Sequence, residues 1–246
     1  MKKKFFLTVF ENIKTLFYAL IIALIIRSLF LQPFYIPSSS MEPTLLVGDR
    51  IFVTKYAYGY SKHSFPFSPP FFSGRLFDKE PSYGDLVVFK TPADNRTDYI
   101  KRLIGLPGDT VQFKNGKLLL NKKEILREVV NIKQEIRCGM TSPKVKAYKE
   151  TLPNGKQYIA VYNQLGTMQN TDEYKIPKNY FFFLGDNRDC SKDSRYLSSV
   201  GYVSGENLVG KATIIFFSND TISGSVLKFW NWNHSLRIER SFKLLK

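Results

Sequence analysis

Apolar residues are arranged along this chain in two different ways. Near the N-terminus they are nearly continuous: Phe5-Phe6-Leu7-Thr8-Val9-Phe10, a polar interruption from Glu11 to Lys14, and then eleven residues from Leu16 to Ile26 closed by Arg27. The second run alone is shorter than the roughly 20 residues needed to cross a bilayer. Counted from Phe5, the segment is long enough, with Glu11 and Lys14 close to one interface, where a lysine can snorkel to water. The leading Met1-Lys2-Lys3-Lys4 favours an N-terminus on the inside and the remaining chain outside. A cleaved secretory leader shares the basic and apolar layout but ends in small residues at its cut. Bulky Arg27-Ser28-Leu29-Phe30-Leu31-Gln32 stands there instead, so a retained single-pass anchor fits better.

Beyond residue 33 the pattern changes to short β-branched and aromatic runs. Arg50 to Tyr56 and Asp85 to Lys90 follow Gly48-Asp49 and Gly84-Asp85 and read as strands. Two hairpins are legible from their turns: Val111-Gln112-Phe113 and Lys117 to Leu120 around Asn115-Gly116, and Val145 to Thr151 and Gln157 to Tyr162 around Pro153-Asn154-Gly155. Tyr180 to Leu184 and Ala212 to Phe217 read as buried strands. No long helical period occurs outside the anchor, so the expected class is mainly β: an N-terminal transmembrane helix, then an antiparallel β core with an inserted second β subdomain. The boundaries read as an anchor over 1–31, a core over 32–109 and 179–220, an insert over 110–178 and a basic tail over 221–246. The loop Phe65-Pro66-Phe67-Ser68-Pro69-Pro70-Phe71-Phe72 is too proline-rich for a central strand. Its aromatics are either tucked under the loop or presented to a lipid interface.

Composition narrows the partners. The 246 residues carry a formal charge of +15, which calls for an anionic neighbour, nucleic acid or lipid headgroups. A nucleic-acid reader clusters its cations in a stripe. Here they are spread along the chain, with modest concentrations at Lys2 to Lys4 and at Arg237, Arg240, Lys243 and Lys246, a spread that more often marks a solvated surface; beside an anchor, membrane lipids including anionic headgroups are expected and nucleic acid is not. Cys138 and Cys190 are too far apart for a Cys-x-x-Cys motif, leaving a disulfide or two free thiols open. His63 and His234 fall in no metal-ligand pattern and beside no Gly-x-Ser-x-Gly elbow. Neither a histidine triad nor a zinc hydrolase is indicated, and no metal or cofactor is expected.

The candidate chemistry lies just past the anchor, in Pro37-Ser38-Ser39-Ser40-Met41-Glu42-Pro43-Thr44-Leu45, and about sixty residues on, in Tyr99-Ile100-Lys101-Arg102. A serine hydroxyl is a weak nucleophile until a base takes its proton. Lysine can serve if burial lowers its pKa from the usual value near 10.4. Strand alternation puts Tyr99, Lys101 and Leu103 on one face and Ile100, Arg102 and Ile104 on the other. Taken alone, the strand equally suits an ordinary edge lysine facing water.

Four segments in order carry a resemblance. Phe34 to Leu45, Gly84 to Phe89, Tyr99-Ile100-Lys101-Arg102-Leu103-Ile104-Gly105-Leu106-Pro107-Gly108-Asp109 and Gly185-Asp186-Asn187-Arg188-Asp189-Cys190-Ser191-Lys192-Asp193-Ser194-Arg195 resemble the boxes of the type I signal peptidases. The resemblance implies a membrane-anchored serine endopeptidase that removes signal peptides from exported preproteins. It implies Ser40 as nucleophile, Lys101 as general base, the Ser40 N–H and Ser38 hydroxyl as oxyanion donors, and Ser191 as a hydrogen-bond partner orienting the Lys101 amine. Arg102 with Asp186, and Asp193 with Arg195, would be supporting ion pairs. Phe34, Ile36, Leu45, Tyr99 and Ile100 would line shallow pockets for small side chains at the first and third positions before the cut. The resemblance also implies a location on the bacterial inner membrane with the catalytic domain on the outer side, and no obligate protein partner.

The chain departs from the family pattern in places. It has room for one membrane segment where some relatives have two. Ser39 replaces a frequent glycine, which opens a question about the loop's backbone, and Cys190 replaces an asparagine and reads as a small packed residue. No family disulfide transfers to the Cys138 and Cys190 pair. A self-cleaving repressor would need a DNA-binding domain for which residues 1–36 leave no room. An anchored, non-enzymatic binder predicts the stripe of charge that is missing. The Ser225-Val226-Leu227-Lys228 tetrapeptide of a penicillin-binding acyltransferase lacks its companion motifs.

Overall fold

The computed structural model describes residues 2–163, 166, 168–220 and 232–245. The Ser225 to Lys228 tetrapeptide, residues 221–231 of the expected tail and the His234 side chain lie outside them. Helix α1 (Lys2–Ile25) opens the chain, uninterrupted by glycine or proline. Its large apolar side chains, Phe10, Leu16, Phe17, Ile22 and Ile25 among them, face outward. A helix apolar on all sides needs a non-aqueous surround. The stretch able to span a membrane is the 22 residues Val9–Phe30. It runs four residues past the expected Ile26 end, through a widened turn at Ile26–Phe30 that carries Arg27.

The chain then enters a curled antiparallel sheet. β1 (Leu31–Tyr35) pairs with β2 (Asp49–Thr54), and Pro33 is tolerated because β1 is an edge strand. β3 (Leu86–Lys90) and β4 (Asp98–Gly105) follow. Then come β5 (Thr110–Lys114), β6 (Lys117–Leu120), β7 (Lys123–Glu124), β8 (Leu126–Val130), β9 (Val145–Thr151), β10 (Gln157–Asn163) and β11 (Tyr174–Lys175). The chain returns through β12 (Tyr180–Leu184), β13 (Val203–Ser204), β14 (Leu208–Ser218) and β15 (Lys243–Leu244). The main sheet runs β1-β2-β14-β3-β4-β12-β13 with β15 added to β14, while β11-β5-β6-β7 and β10-β9-β8 form two smaller sheets.

Both expected hairpins form, and Asn115 and Gly116 take φ of 51° and 68°, the pair of positive values that a tight hairpin turn requires. β8 is the strand the sequence concealed. Leu-Arg-Glu-Val-Val has no alternation, and the strand lies at a largely exposed edge of its sheet.

β4 lies between β3 and β12, so the edge-lysine reading of Lys101 falls. Each face of the strand is covered: Tyr99 and Leu103 pack with Phe89 and Phe183, and Ile100 packs with Ile36, Met41 and Leu45. Burying each such side chain stabilises the fold by about 1.5–3 kcal/mol. A third core joins the smaller sheets to the main one, with Phe113, Leu118 and Tyr158 against Ile104, Phe182 and Leu184.

Two open questions resolve and two expectations are corrected. In the proline-rich loop, Phe65 and Phe72 pair edge to face at 6.3 Å, while Phe67 and Phe71 stand in solvent. Cys138 and Cys190 form a disulfide, so Cys190 is not merely a small packed residue. Sequence separation hid the pairing because 52 residues part the two. Arg240, assigned to a basic tail, is instead ion-paired to buried Asp49 at 2.6 Å.

Candidate active site

The first catalytic candidate sits where β1 gives way to β2. Ser38 is extended, and Ser39–Met41 form one tight helical turn. This is a right-handed conformation open to any residue, so the serine at 39 needs no glycine's freedom. The Ser38 hydroxyl does not cap that turn; its Oγ lies 3.3 Å from Ser40 Oγ. Lys101 reaches the same atom from β4, with Nζ 2.7 Å from Ser40 Oγ and 3.0 Å from the Ile100 carbonyl. The lysine side chain is 4% exposed. Burial pushes its pKa down to about 8, against the pull of Asp193 and Asp186, which favour the charged form.

Those carboxylates have their own partners. Asp186 receives a two-pronged bond from Arg102 at 2.7 and 2.6 Å and the Thr44 hydroxyl at 2.5 Å. Asp193 binds Arg195 in the same manner at 2.8 and 2.9 Å, and the Gly185 N–H at 3.0 Å. Burial alone would raise the Asp193 pKa, but Arg195 holds it below the ordinary value. With each carboxylate engaged by an arginine, neither is left to fix a full ammonium on Lys101.

Residues 185–195 hold the serine turn in place. The Asn187 amide donates to the Ser39 carbonyl at 3.1 Å and the Arg137 carbonyl at 2.8 Å, and its backbone N–H donates to the Ser40 carbonyl at 3.2 Å. Arg137 N–H donates in turn to Glu42 at 2.7 Å, and the adjacent Cys138 is bonded to Cys190. Asn187, Thr44 and the Cys138 anchor were not singled out from the sequence. The partners of Asn187 are backbone carbonyls 148 and 50 positions away, a relation that no residue spacing signals.

Two expected placements differ. Ser191 is buried but makes no hydrogen bond to Lys101. It packs instead over Gly185, where an added β-carbon would come within 2.2 Å of its Oγ. Leu45 is fully buried behind the cleft, in the core with Ile36 and Met41. The cleft, about 420 Å³, is lined by Phe34, Ile36, Tyr99 and Ile100, with Ser38, Ser40 and Lys101 on its floor. Lys192 and Asp98 stand among its remaining walls.

The profile described as "Signal peptidase, peptidase S26" matches residues 9–217. The chain belongs to that family. Among its relatives, the signal peptidase I of Rickettsia typhi is 41% identical over 97% of this chain and 94% of its own length. That of Rickettsia conorii is 42% identical over 93% of this chain and 90% of its own length. Membership makes the chain a peptidase of signal peptides, and α1, long and apolar enough to cross a membrane, fits a membrane anchor. Signal peptidase relationship thus extends well beyond the four segments, through the strands of the smaller sheets.

Proposed function

We propose that this protein is a membrane-anchored serine endopeptidase that removes N-terminal signal peptides from exported preproteins, cutting after a small-x-small sequence with Ser40 as nucleophile and Lys101 as general base. The observation that supports this most is the 2.7 Å contact between Lys101 Nζ and Ser40 Oγ in a buried site. The neutral amine accepts the Ser40 proton as Oγ attacks the scissile carbonyl. The resulting oxyanion is met by the Ser40 N–H and the Ser38 hydroxyl, each such donor typically contributing a few kcal/mol. The Lys101 ammonium returns the proton to the leaving amine, and the signal peptide remains as an ester on Ser40. A water, deprotonated by the same amine, then releases it.

Substrate would lie extended in the cleft as an added strand between the segments around Ser38 and Tyr99. Phe34, Ile36 and Ile100 crowd the cleft and favour small side chains, while Leu45 supports it from behind. Arg102 with Asp186 and Arg195 with Asp193 are the scaffold, and Ser191 packs over Gly185. Residues 32–109 and 179–220 form the catalytic core, and residues 110–178 an inserted β subdomain. Lys2 to Lys4 hold the N-terminus inside, leaving the core on the outer side of the membrane beside anionic lipid.

The test uses the full chain in detergent with a purified preprotein. Cleavage after the small-x-small site is expected, abolished by Ser40→Ala and by Lys101→Ala in variants that keep the wild-type circular dichroism spectrum. Near wild-type activity in either variant refutes the dyad, and unaffected cleavage with leucine at both small positions refutes the specificity.

A further inference from the structure

A second cleft, about 630 Å³, opens at the foot of the membrane helix, with Gln32 of β1 among its walls, and Asp98 lines both it and the cleft over Ser40. Arg27, Lys62, Lys90 and Arg96 line it, with Asp98 the one carboxylate among its walls. Arg27 lies three residues inside the end of the span at Phe30, about one helical turn from the boundary. The cleft therefore opens at the level of lipid headgroups. It is fixed to the helix end, since the Tyr60 hydroxyl donates to the Leu29 carbonyl at 2.9 Å and the Lys55 N–H to the Phe30 carbonyl at 2.9 Å.

Its charges are not balanced from within. Asp98 pairs with Lys90 at 2.9 Å, and Lys62 with Glu206 at 3.2 Å. The guanidinium groups of Arg27 and Arg96 have no ion pair or hydrogen bond among the described residues. Lys55, which is not one of the cleft's walls, also lacks one and is 1% exposed. Burial first, and then the nearby charges of Arg27 and Lys90, push its pKa down to about 7, while Asp98 opposes them. Burial among other cations disfavours the charged form, and the lowered pKa lets Lys55 shed its proton instead.

The rim adds an apolar element. Phe67 and Ser68 both take left-handed backbone, with φ of 64° and 50°, costing roughly 1–2 kcal/mol for such residues. The turn is held by a 2.9 Å bond between His63 Nδ1 and Ser68 Oγ. It directs Phe67, one of the cleft's walls, fully into solvent. Strain that holds an aromatic ring outward points to a use for the ring.

We propose that this cleft binds the phosphate headgroup of an anionic phospholipid, with Arg27 and Arg96 on the phosphate and Phe67 among the acyl chains. Resting on the reading of α1 as a membrane anchor, this gives the expected lipid contact a defined site. The occupant is lipid rather than free phosphate, because the cations sit at headgroup depth and the exposed ring beside them has no use for a soluble ion.

The test reconstitutes the full chain in phosphatidylcholine bilayers and measures, by electron paramagnetic resonance, the motionally restricted fraction of spin-labelled phosphatidylglycerol and phosphatidylcholine. Preference for the anionic label of roughly fivefold is expected. It should fall to near parity in Arg27→Gln/Arg96→Gln and be reduced in Phe67→Ser, both cleaving a soluble peptide in detergent at the wild-type rate. Equal restriction of both labels by wild type overturns the proposal while leaving the anchor intact. A preference that persists in the double variant assigns it elsewhere, such as Lys2 to Lys4, and overturns the site. Displacement by glycerol 3-phosphate at concentrations matching the lipid makes the site one for free phosphate and overturns the lipid assignment. Extraction of the wild-type chain from bilayers by alkaline carbonate overturns the anchor reading as well.

Discussion

Replacing Lys101 by methionine should abolish cleavage and, at the same time, stabilise the protein. The buried ammonium is disfavoured in the native state, its pKa falling from 10.5 to about 8, and that displacement corresponds to about 3 kcal/mol. Methionine fills a similar volume without charge. It loses the Nζ contacts to Ser40 Oγ and the Ile100 carbonyl, which returns about 1–2 kcal/mol. The net gain is therefore about 1–2 kcal/mol, or roughly 5 °C in Tm for a chain of this size.

The gain must also depend on pH in one direction. Below pH 8 the lysine is protonated in native and unfolded chains alike, and the full burial cost is present. Between about 8 and 10.5 the unfolded chain binds a proton that the native one does not, so wild-type stability rises with pH. Above that range both are neutral and the cost is gone. Thermal unfolding of both full chains in detergent, followed by intrinsic fluorescence from pH 6.5 upward, should show a gap that is widest at neutral pH and closes toward 10.5. A variant less stable than wild type throughout, or a gap constant with pH, refutes the reasoning.

Cleavage itself should rise about tenfold per pH unit on the acid side and level off above about 8; a profile flat across pH 6–9 in a steady-state peptide assay contradicts a lysine base. Gly185→Ala introduces a β-carbon 2.2 Å from Ser191 Oγ and 2.5 Å from the Ser40 carbonyl. With the nucleophile turn displaced, kcat should fall about 100-fold while KM changes little. The double variant Cys138→Ser/Cys190→Ser opens a 52-residue loop, and about 4 kcal/mol of stability should be lost, read as a lower Tm that dithiothreitol reproduces in wild type and leaves unchanged in the variant.

Chain-local properties were open to reading from the sequence. The apolar run before Arg27, the Asn115-Gly116 turn and the run Tyr180 to Leu184 each reflect a preference of neighbouring residues, so anchor, hairpin and strand followed from pattern alone. Ser40 and Lys101 were legible only because a resemblance joined two segments that are separately ordinary: a polar loop and a strand with a lysine in it. Tertiary structure decided that β4 is an interior strand, and this turns Lys101 from a solvated side chain into a buried one with a pKa of about 8. It also decided that Ser191 packs on Gly185, that Leu45 stands behind the cleft wall, that Asn187 clamps the serine turn and that Cys138 reaches Cys190. The physical reason is the same in each case. Propensity and periodicity act between residues a few positions apart, whereas burial, electrostatic environment and contacts across dozens of residues exist only once the strands have paired.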